Sequence, residues 1–313
     1  MTAQTTAPPV GSGSVALVGR PYVGMDDLAR MHALLRVGRR LADATTDLHP
    51  GDLEWWIGMG DPAIDWSERV TLWSLGGDPE PIAWTWWTPP DELDWFVDQT
   101  VDGPAIRAAL LDRLGRPLLT VWTPDHAAPL IEMLEMRGFT RGTTGYAHHA
   151  RGLDPMDDPP LRLPDGFTVR SVRLPDDLDE RVRVHRAAFA PSRYTTEKHR
   201  RVASMPLYRP ELDLVAQAPD GTFASFAICW FDEETGTAEF EPVGTDPAFQ
   251  RRGLATAVMT EALRRVARLG AGVAFVSSSL TRPGGTELYR SMGFREVRRT
   301  VAYVPVNGES RDA

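Results

Sequence analysis

The chain has 313 residues, enough for two ordinary domains that each bury a core of their own. Its net charge of −9 argues against general affinity for nucleic acid or for an anionic membrane, because both are held by basic surfaces. One cysteine, Cys229, excludes an intrachain disulfide and a cysteine-rich metal site. With no bilayer-length apolar run and no basic-then-apolar leader in view, a soluble cytoplasmic protein is expected.

Residues 1–19, rich in Thr, Pro, Gly and Ser, read as a mobile tail. In the first half, strands over 70–75 and 82–87 flank a Gly77-Asp78 turn and form a hairpin. A strand over 93–98, a helix over 105–114 and a strand over 118–122 follow, and then Leu134-Glu135-Met136-Arg137-Gly138-Phe139. Prolines and acids between Gly152 and Pro160 resist helix and sheet alike, so 153–165 is a linker. The second half repeats the series: strands 212–218 and 223–231 about Asp220-Gly221, a strand over 237–243, a helix over 254–269, a strand over 273–277, and Tyr289-Arg290-Ser291-Met292-Gly293-Phe294. This is a tandem duplication, with halves at 20–152 and 166–308 and a short tail at 309–313. Each half reads as an α+β unit, a mixed and mostly antiparallel sheet flanked by helices.

Chemistry concentrates where the strand over 237–243 runs into the helix over 254–269. Small residues at Gly253 and Ala255 let a backbone with free N–H groups approach a pyrophosphate, and the helix adds its positive end. Gln250, Arg251 and Arg252 supply donors and charge at the same place. Basic residues at a helix start oppose its dipole by a few tenths of a kcal/mol, so without an anion they are badly placed. On the strand, alternation puts Glu239, Glu241 and Val243 on one face; both carboxylates could equally lie on a solvated strand face.

Gln250-x-x-Gly253-x-Ala255 resembles the pyrophosphate loop of the GNAT (Gcn5-related) N-acetyltransferases, and Glu287-Leu288-Tyr289-Arg290-Ser291-Met292-Gly293-Phe294 resembles that family's closing helix. The resemblance covers residues 167–306 and implies a fold of two tandem GNAT-like units, a strand bulged at Pro242, and direct acetyl transfer from acetyl-CoA to a primary amine. It implies coenzyme contacts at Val243, Gly244, Thr245, Gln250, Arg251, Arg252, Gly253, Leu254, Ala255 and Thr256. It also implies Glu239 as general base with Glu241 as second choice, Tyr289 as the acid that protonates the thiolate, and a backbone oxyanion donor near Val243 to Thr245. No metal is implied. Arg282-Pro283-Gly284-Gly285 stands where the family often has an asparagine and an alanine, which loosens the expectation for the pantetheine contacts.

The first half has lost this chemistry, with Asp98-Gln99-Thr100-Val101-Asp102-Gly103-Pro104-Ala105 in place of the loop and Leu134 in place of Tyr289. Nine of the ten tryptophans lie in it, either as large core residues or as the lining of a substrate surface. The acceptor, a small-molecule amine or a peptide, is expected to meet variable loops such as 189–206. A monomer or homodimer is expected. Residues 243–254 and the tandem layout are similar to the mycothiol synthases of actinobacteria, which leaves open a thiol-sugar amine as acceptor; a binding module that senses acyl-CoA without turnover is the other alternative.

Overall fold

The computed structural model describes residues 16–41, 48–61, 63–88, 92–98, 100–101, 103–114, 120–156, 160–282 and 284–306. Of the tail expected at 1–19, residues 1–15 lie outside the described residues, as do the tail at 309–313 and Gln99 and Asp102 of the first-half loop; Leu17, Val18 and Gly19 are not tail but strand, because their backbone finds ladder partners in Leu75, Ser74 and Trp73. The first half contains β1 (Leu17–Pro21), α1 (Met25–Leu41), α2 (Pro50–Met59), β2 (Val70–Leu75), β3 (Ala83–Thr88), β4 (Glu92–Val97), α3 (Gly103–Arg113), β5 (Thr120–Pro124), α4 (Ala128–Met136) and β6 (Phe139–Gly152). The second contains β7 (Thr168–Ser171), α5 (Leu178–Ala188), α6 (Thr196–Ala203), β8 (Asp213–Gln217), β9 (Phe223–Asp232), β10 (Thr237–Thr245), α7 (Leu254–Arg268), β11 (Val273–Ser279), α8 (Gly284–Ser291) and β12 (Arg295–Pro305). The stretch 189–206, expected as a loop, carries α6: Thr195 caps it by accepting from Lys198 N, and its apolar side packs inward.

All twelve strands form one sheet in the order β1-β2-β3-β4-β5-β12-β6-β11-β10-β9-β8-β7. Read from either edge, five strands of one half are followed by the last strand of the other. Thus β12 lies between β5 and β6, antiparallel to both, and β6 lies between β12 and β11. The pairs β4–β5 and β10–β11 are parallel; the others are antiparallel. The exchange also joins the cores, since Val301 and Tyr303 of β12 pack with Leu130 and Leu134 of α4. At the equivalent place in the other half, Arg151 of β6 donates to the Met292 carbonyl at 2.7 Å, just after α8.

Burial follows the apolar pattern. Leu254, Val258, Ala262 and Val266 recur every four residues along α7 and pack on Ala227, Cys229 and Phe231 of β9, the face a helix of this pattern must bury. The other face of β9 presents Ile228 and Trp230 to Trp55, Tyr194 and Val202, so every residue of this central strand is buried. Cys229 is a core residue whose thiol burial holds well above its ordinary pKa.

Trp55 belongs to α2, and beside the exchanged strands α2 is the first half's main helical contact with the second. The helix starts where His49 accepts from Gly51 N at 3.0 Å and Asp52 accepts from His49 N at 2.7 Å, a reciprocal cap, with proline in the first turn where its missing N–H costs nothing. His49 Nε2 also reaches Thr237 Oγ1 at 3.2 Å. Leu207 N donates to the buried Glu54 at 2.8 Å, and Arg36 of α1 pairs with the buried Asp232 at 2.8 Å. A Cβ on Gly51 would stand 2.4 Å from Trp230 Cβ and 2.5 Å from its Cγ, both close to the backbone of β9. Gly51→Ala is therefore expected to lower unfolding stability by about 1–3 kcal/mol, the usual cost of overpacking, and a denaturant titration of the variant against wild type measures it.

Candidate active site

The parallel pairing of β10 with β11 ends at Phe240↔Val276. Beyond it β11 keeps its pairing with β6 through Ser279↔Tyr146, whereas β10 stays with β9, so the two parallel strands splay apart. Pro242 lacks the N–H a ladder needs, and the β9–β10 register shifts between Phe240 and Val243. The Glu241 carbonyl at this bulge accepts from Trp230 Nε1 at 2.7 Å. The bulge changes what faces what. Phe240 and Val243 both pack in the α7 core, so the expected common face for Glu239, Glu241 and Val243 is broken: simple alternation does not survive an extra residue. Gly244 lies under Phe226, whose Cζ would be 2.6 Å from an added Cβ, and Ser225 Oγ donates to the Gly244 carbonyl at 2.8 Å.

Glu239 is 5 % exposed and sits in register between Trp230 and Phe275. Burial and the charge of Asp52 raise its pKa well above the carboxylate range, against the pull of Arg39. Glu241 faces a cavity, and burial followed by the Asp52 charge pushes it up to about 8. Tyr289 is 7 % exposed, and burial together with the charges of Glu241 and Glu239 raises its pKa further above that of an ordinary phenol. Its ring meets His149 of β6 edge-on at 5.8 Å and Phe294 at 6.2 Å. Ser278 Oγ and Thr286 Oγ1, 2.9 Å apart, tie α8 to β11.

The loop ahead of α7 is shaped by its backbone. Asp246 accepts from Ala248 N at 3.0 Å and from Arg183 at 2.6 Å, which fixes the short 3₁₀ turn over Pro247–Phe249. Arg251 then takes φ 62°, a left-handed conformation costing a side-chain-bearing residue roughly 1–2 kcal/mol. Gly253 takes φ 78° and caps α7 without a side-chain bond. An added Cβ there would meet nothing within 4 Å, so the space before the helix is open, and successive turns of this kind make an anion-binding concavity. Gln250, Arg251, Arg252 and Thr256 are exposed, while Leu254 is buried and Ala255 half-buried. The Arg252 guanidinium rests on the Phe167 ring at 4.7 Å.

A cavity of about 630 Å³ opens beside Glu241. Most of its wall belongs to the first half. Trp56, Trp66, Trp86, Trp87, Trp95 and Trp122 line it, whereas Trp55, Trp73 and Trp84 are core, so the tryptophans divide between the two expected uses. Its carboxylates are Asp52, Glu92, Asp94 and Glu241 and its guanidinium groups are those of Arg69, Arg107 and Arg298. Burial raises Asp94 to about 7, aided by Glu92 and Asp52, and raises Asp52 to about 6 against the His49 N–H and Arg39. Residues 189–206, expected at the acceptor, do not line it; α6 is occupied with α2.

Residues 180–294 match the family described as acetyltransferase (GNAT). This region is a GNAT domain. Mycothiol acetyltransferase of Kineococcus radiotolerans is 29% identical over 208 residues, 64% of this chain and 66% of that protein. The like-named protein of Segniliparus rotundus is 29% identical over 157 residues, 47% of this chain. The matched part thus spans just under two thirds of the first relative and 59% of the second. Mycothiol acetyltransferase of Nocardioides sp. is 28% identical over 297 residues, 86% of this chain and 96% of that protein. Among solved structures, a GCN5-related N-acetyltransferase from Sphaerobacter thermophilus has a TM-score of 0.61 at 20% identity, covering 92% of this chain and 94% of that one. A tandem GNAT protein from the clavulanic acid biosynthesis pathway has a TM-score of 0.63 at 13% identity, covering 92% and 97%. The tandem GNAT fold is therefore that of the whole chain.

Within this GNAT fold the residues that sequence reading missed are Asp52 and Asp94. Asp94 directly follows the last parallel pair of the first half, Leu93↔Val121, as Glu241 follows Phe240↔Val276; aligning the two halves strand by strand would have found it. Asp52 was visible only as part of a helix start, His49-Pro50-Gly51-Asp52.

These raised carboxyl groups leave a signature in stability. A group whose pKa rises on folding binds its proton more tightly in the native state, so its stabilising effect is complete below the unfolded pKa and is lost as pH climbs through the folded one. For Glu241 that window runs from 4.5 to about 8. The melting temperature is expected to fall between pH 5 and pH 8.5, and Glu241→Gln is expected to shrink the fall; thermal scans at the two pH values read both.

Proposed function

We propose that the chain is an acetyl-CoA-dependent N-acetyltransferase that acetylates a primary amine by direct transfer in its second half. What carries the reading is one juxtaposition: where β10 leaves β11, a cavity-facing carboxylate stands close enough to a buried phenol for its charge to be felt there, and the same strand runs on to the open, cationic start of α7. The loop suits a pyrophosphate, because Gly253 leaves room, α7 offers unoccupied first-turn N–H groups, and Arg251 brings charge. Glu241, titrating near 8, takes a proton from the ammonium of the acceptor, directly or through a water. The freed amine attacks the thioester carbonyl carbon, and backbone N–H groups near Val243 to Thr245 meet the oxyanion. As the C–S bond breaks, Tyr289, protonated at every physiological pH, gives its proton to the thiolate. Glu241 serves better than Glu239, since Glu241 faces the cavity while Glu239 is closed in between β9 and β11.

The mycothiol acetyltransferase relatives favour a second reading of the acceptor, a thiol-sugar amine. A panel containing such an amine beside alkyl and aryl amines, read by thiol release from acetyl-CoA, separates the two. A soluble, cytoplasmic setting accords with the finding that no helix among the described residues is long and apolar enough to cross a membrane.

Gly253→Asp puts a strained side chain and a negative charge at the loop, and is expected to weaken acetyl-CoA binding at least about tenfold, roughly 1.4 kcal/mol. Calorimetry finding unchanged affinity in the folded variant removes the loop assignment. Tyr289→Phe is expected to lower kcat about 10- to 1000-fold with little change in coenzyme affinity. For the base, kcat/KM is expected to rise with pH toward a plateau above about 8, and Glu241→Gln to abolish that limb. Loss of the limb in Glu239→Gln with its survival in Glu241→Gln would return the role to Glu239.

A further inference from the structure

The cavity beside Glu241 holds charges that its own walls leave unanswered. Arg107 lies on α3 and lines the cavity, yet among the described residues it has neither an ion-pair nor a hydrogen-bond partner, and burial alone pulls its pKa down. Holding a half-buried guanidinium without a partner is unfavourable. Its head turns back toward the start of α3, for a Cβ on Gly103 would stand 2.8 Å from Arg107 Nη1. That is the first half's counterpart of the anion-ready start of α7. The carboxylates of Asp94 and Glu241 line the same cavity without a hydrogen-bond partner among the described residues. They are the counterparts of each other at the two strand splays. Between these groups the wall is indole, with Trp66 against Trp86 at 5.0 Å and Trp56 against Trp86 at 5.4 Å.

Resting on the acetyltransferase reading, we propose that the vestigial cleft of the first half is the acceptor site, and that the acceptor is an amphoteric amine. Its ammonium lies between Asp94 and Glu241, its aromatic or otherwise apolar body against the indoles, and an anionic group set apart from the amine on Arg107. A volume of about 630 Å³ suits a ligand of that size. A guanidinium answers a carboxylate or phosphate with paired donors, indole faces favour flat apolar groups, and an ammonium suits carboxylates that lack a partner in the cavity wall.

The test compares 4-(4-aminobutyl)benzoate with 4-phenylbutylamine, a pair that differs only in the carboxylate, by thiol release from acetyl-CoA and by quenching of intrinsic tryptophan fluorescence. Wild type is expected to show a KM at least about tenfold lower for the benzoate. In Arg107→Ala the ratio of the two KM values should collapse toward one, with Arg107→Lys in between and the melting temperature not lowered, since Arg107 gives up no internal partner. Equal KM values in wild type overturn the proposal, as does a KM rise in Arg107→Ala that is the same for both probes. Thiol release from other amines with no quenching by either probe overturns the acceptor class and leaves the acetyltransferase reading standing. Thiol release from no amine overturns that reading, while quenching by the benzoate that Arg107→Ala removes would still support the anion site.

Discussion

The exchange of the last strands is the constraint on which the rest of the molecule depends. Because β12 is hydrogen-bonded to β5 and β6, and β6 to β12 and β11, neither half can close its own sheet. The core beneath α4 is finished by Val301 and Tyr303 of the other half, and α8, which carries Tyr289, is held through His149 and Arg151 of the first. Strands so paired fix the two splays in one frame, because shifting the register of one would turn every side chain along it to the other face. A site assembled from both halves thereby acquires the rigidity of a single sheet.

Within that frame α2 brings the halves' chemistry together. Its first turn stands where Gly51 lets the backbone meet Trp230, and this sets Asp52 near Glu239, Glu241 and Asp94, whose carboxyl groups all feel its charge. Like charges in a half-buried space disfavour full ionisation, so proton affinity there is a property of the group rather than of one residue. A base poised near neutral pH needs such an environment, and for the role proposed for Glu241 half of it is supplied by a helix from the other repeat.

The sequence was most legible where local patterning and turn chemistry agree. The Gly77-Asp78 and Asp220-Gly221 hairpins, the helix beginning at Leu254 and the Gly138-Phe139 and Gly293-Phe294 segments are short-range features, and the strands and helices around them stand close to where the spacing puts them. The loop before α7 was equally plain, since only a few residue types tolerate left-handed backbone at its end. Less legible was whatever depends on long-range pairing. Alternation predicted a common face for Glu239, Glu241 and Val243, and the bulge at Pro242 removed it. Nothing local announces that β6 and β12 change places, nor that 189–206 forms a helix to cover α2. Asp94 was hidden for the same reason, because its importance comes from a register shared with Glu241 rather than from any motif around it.

The difference between the halves comes down to backbone as much as to loops. In the second, β10 skips register against β9 beside Pro242; in the first, β4 pairs with β3 without a skip from Glu92 to Val97. A strand in unbroken register keeps its backbone groups in regular alternation, whereas a skipped residue re-aims the groups beside it. Both halves keep the splay, because both keep one short parallel pair between antiparallel neighbours. What the first half retains is a cleft without that register skip, lined by bulky indoles. A duplicated cleft is still a hollow beside its counterpart, with a carboxylate at the same relative place. On the proposed reading, its charge and aromatic surface turn that hollow into room for the substrate of the other half.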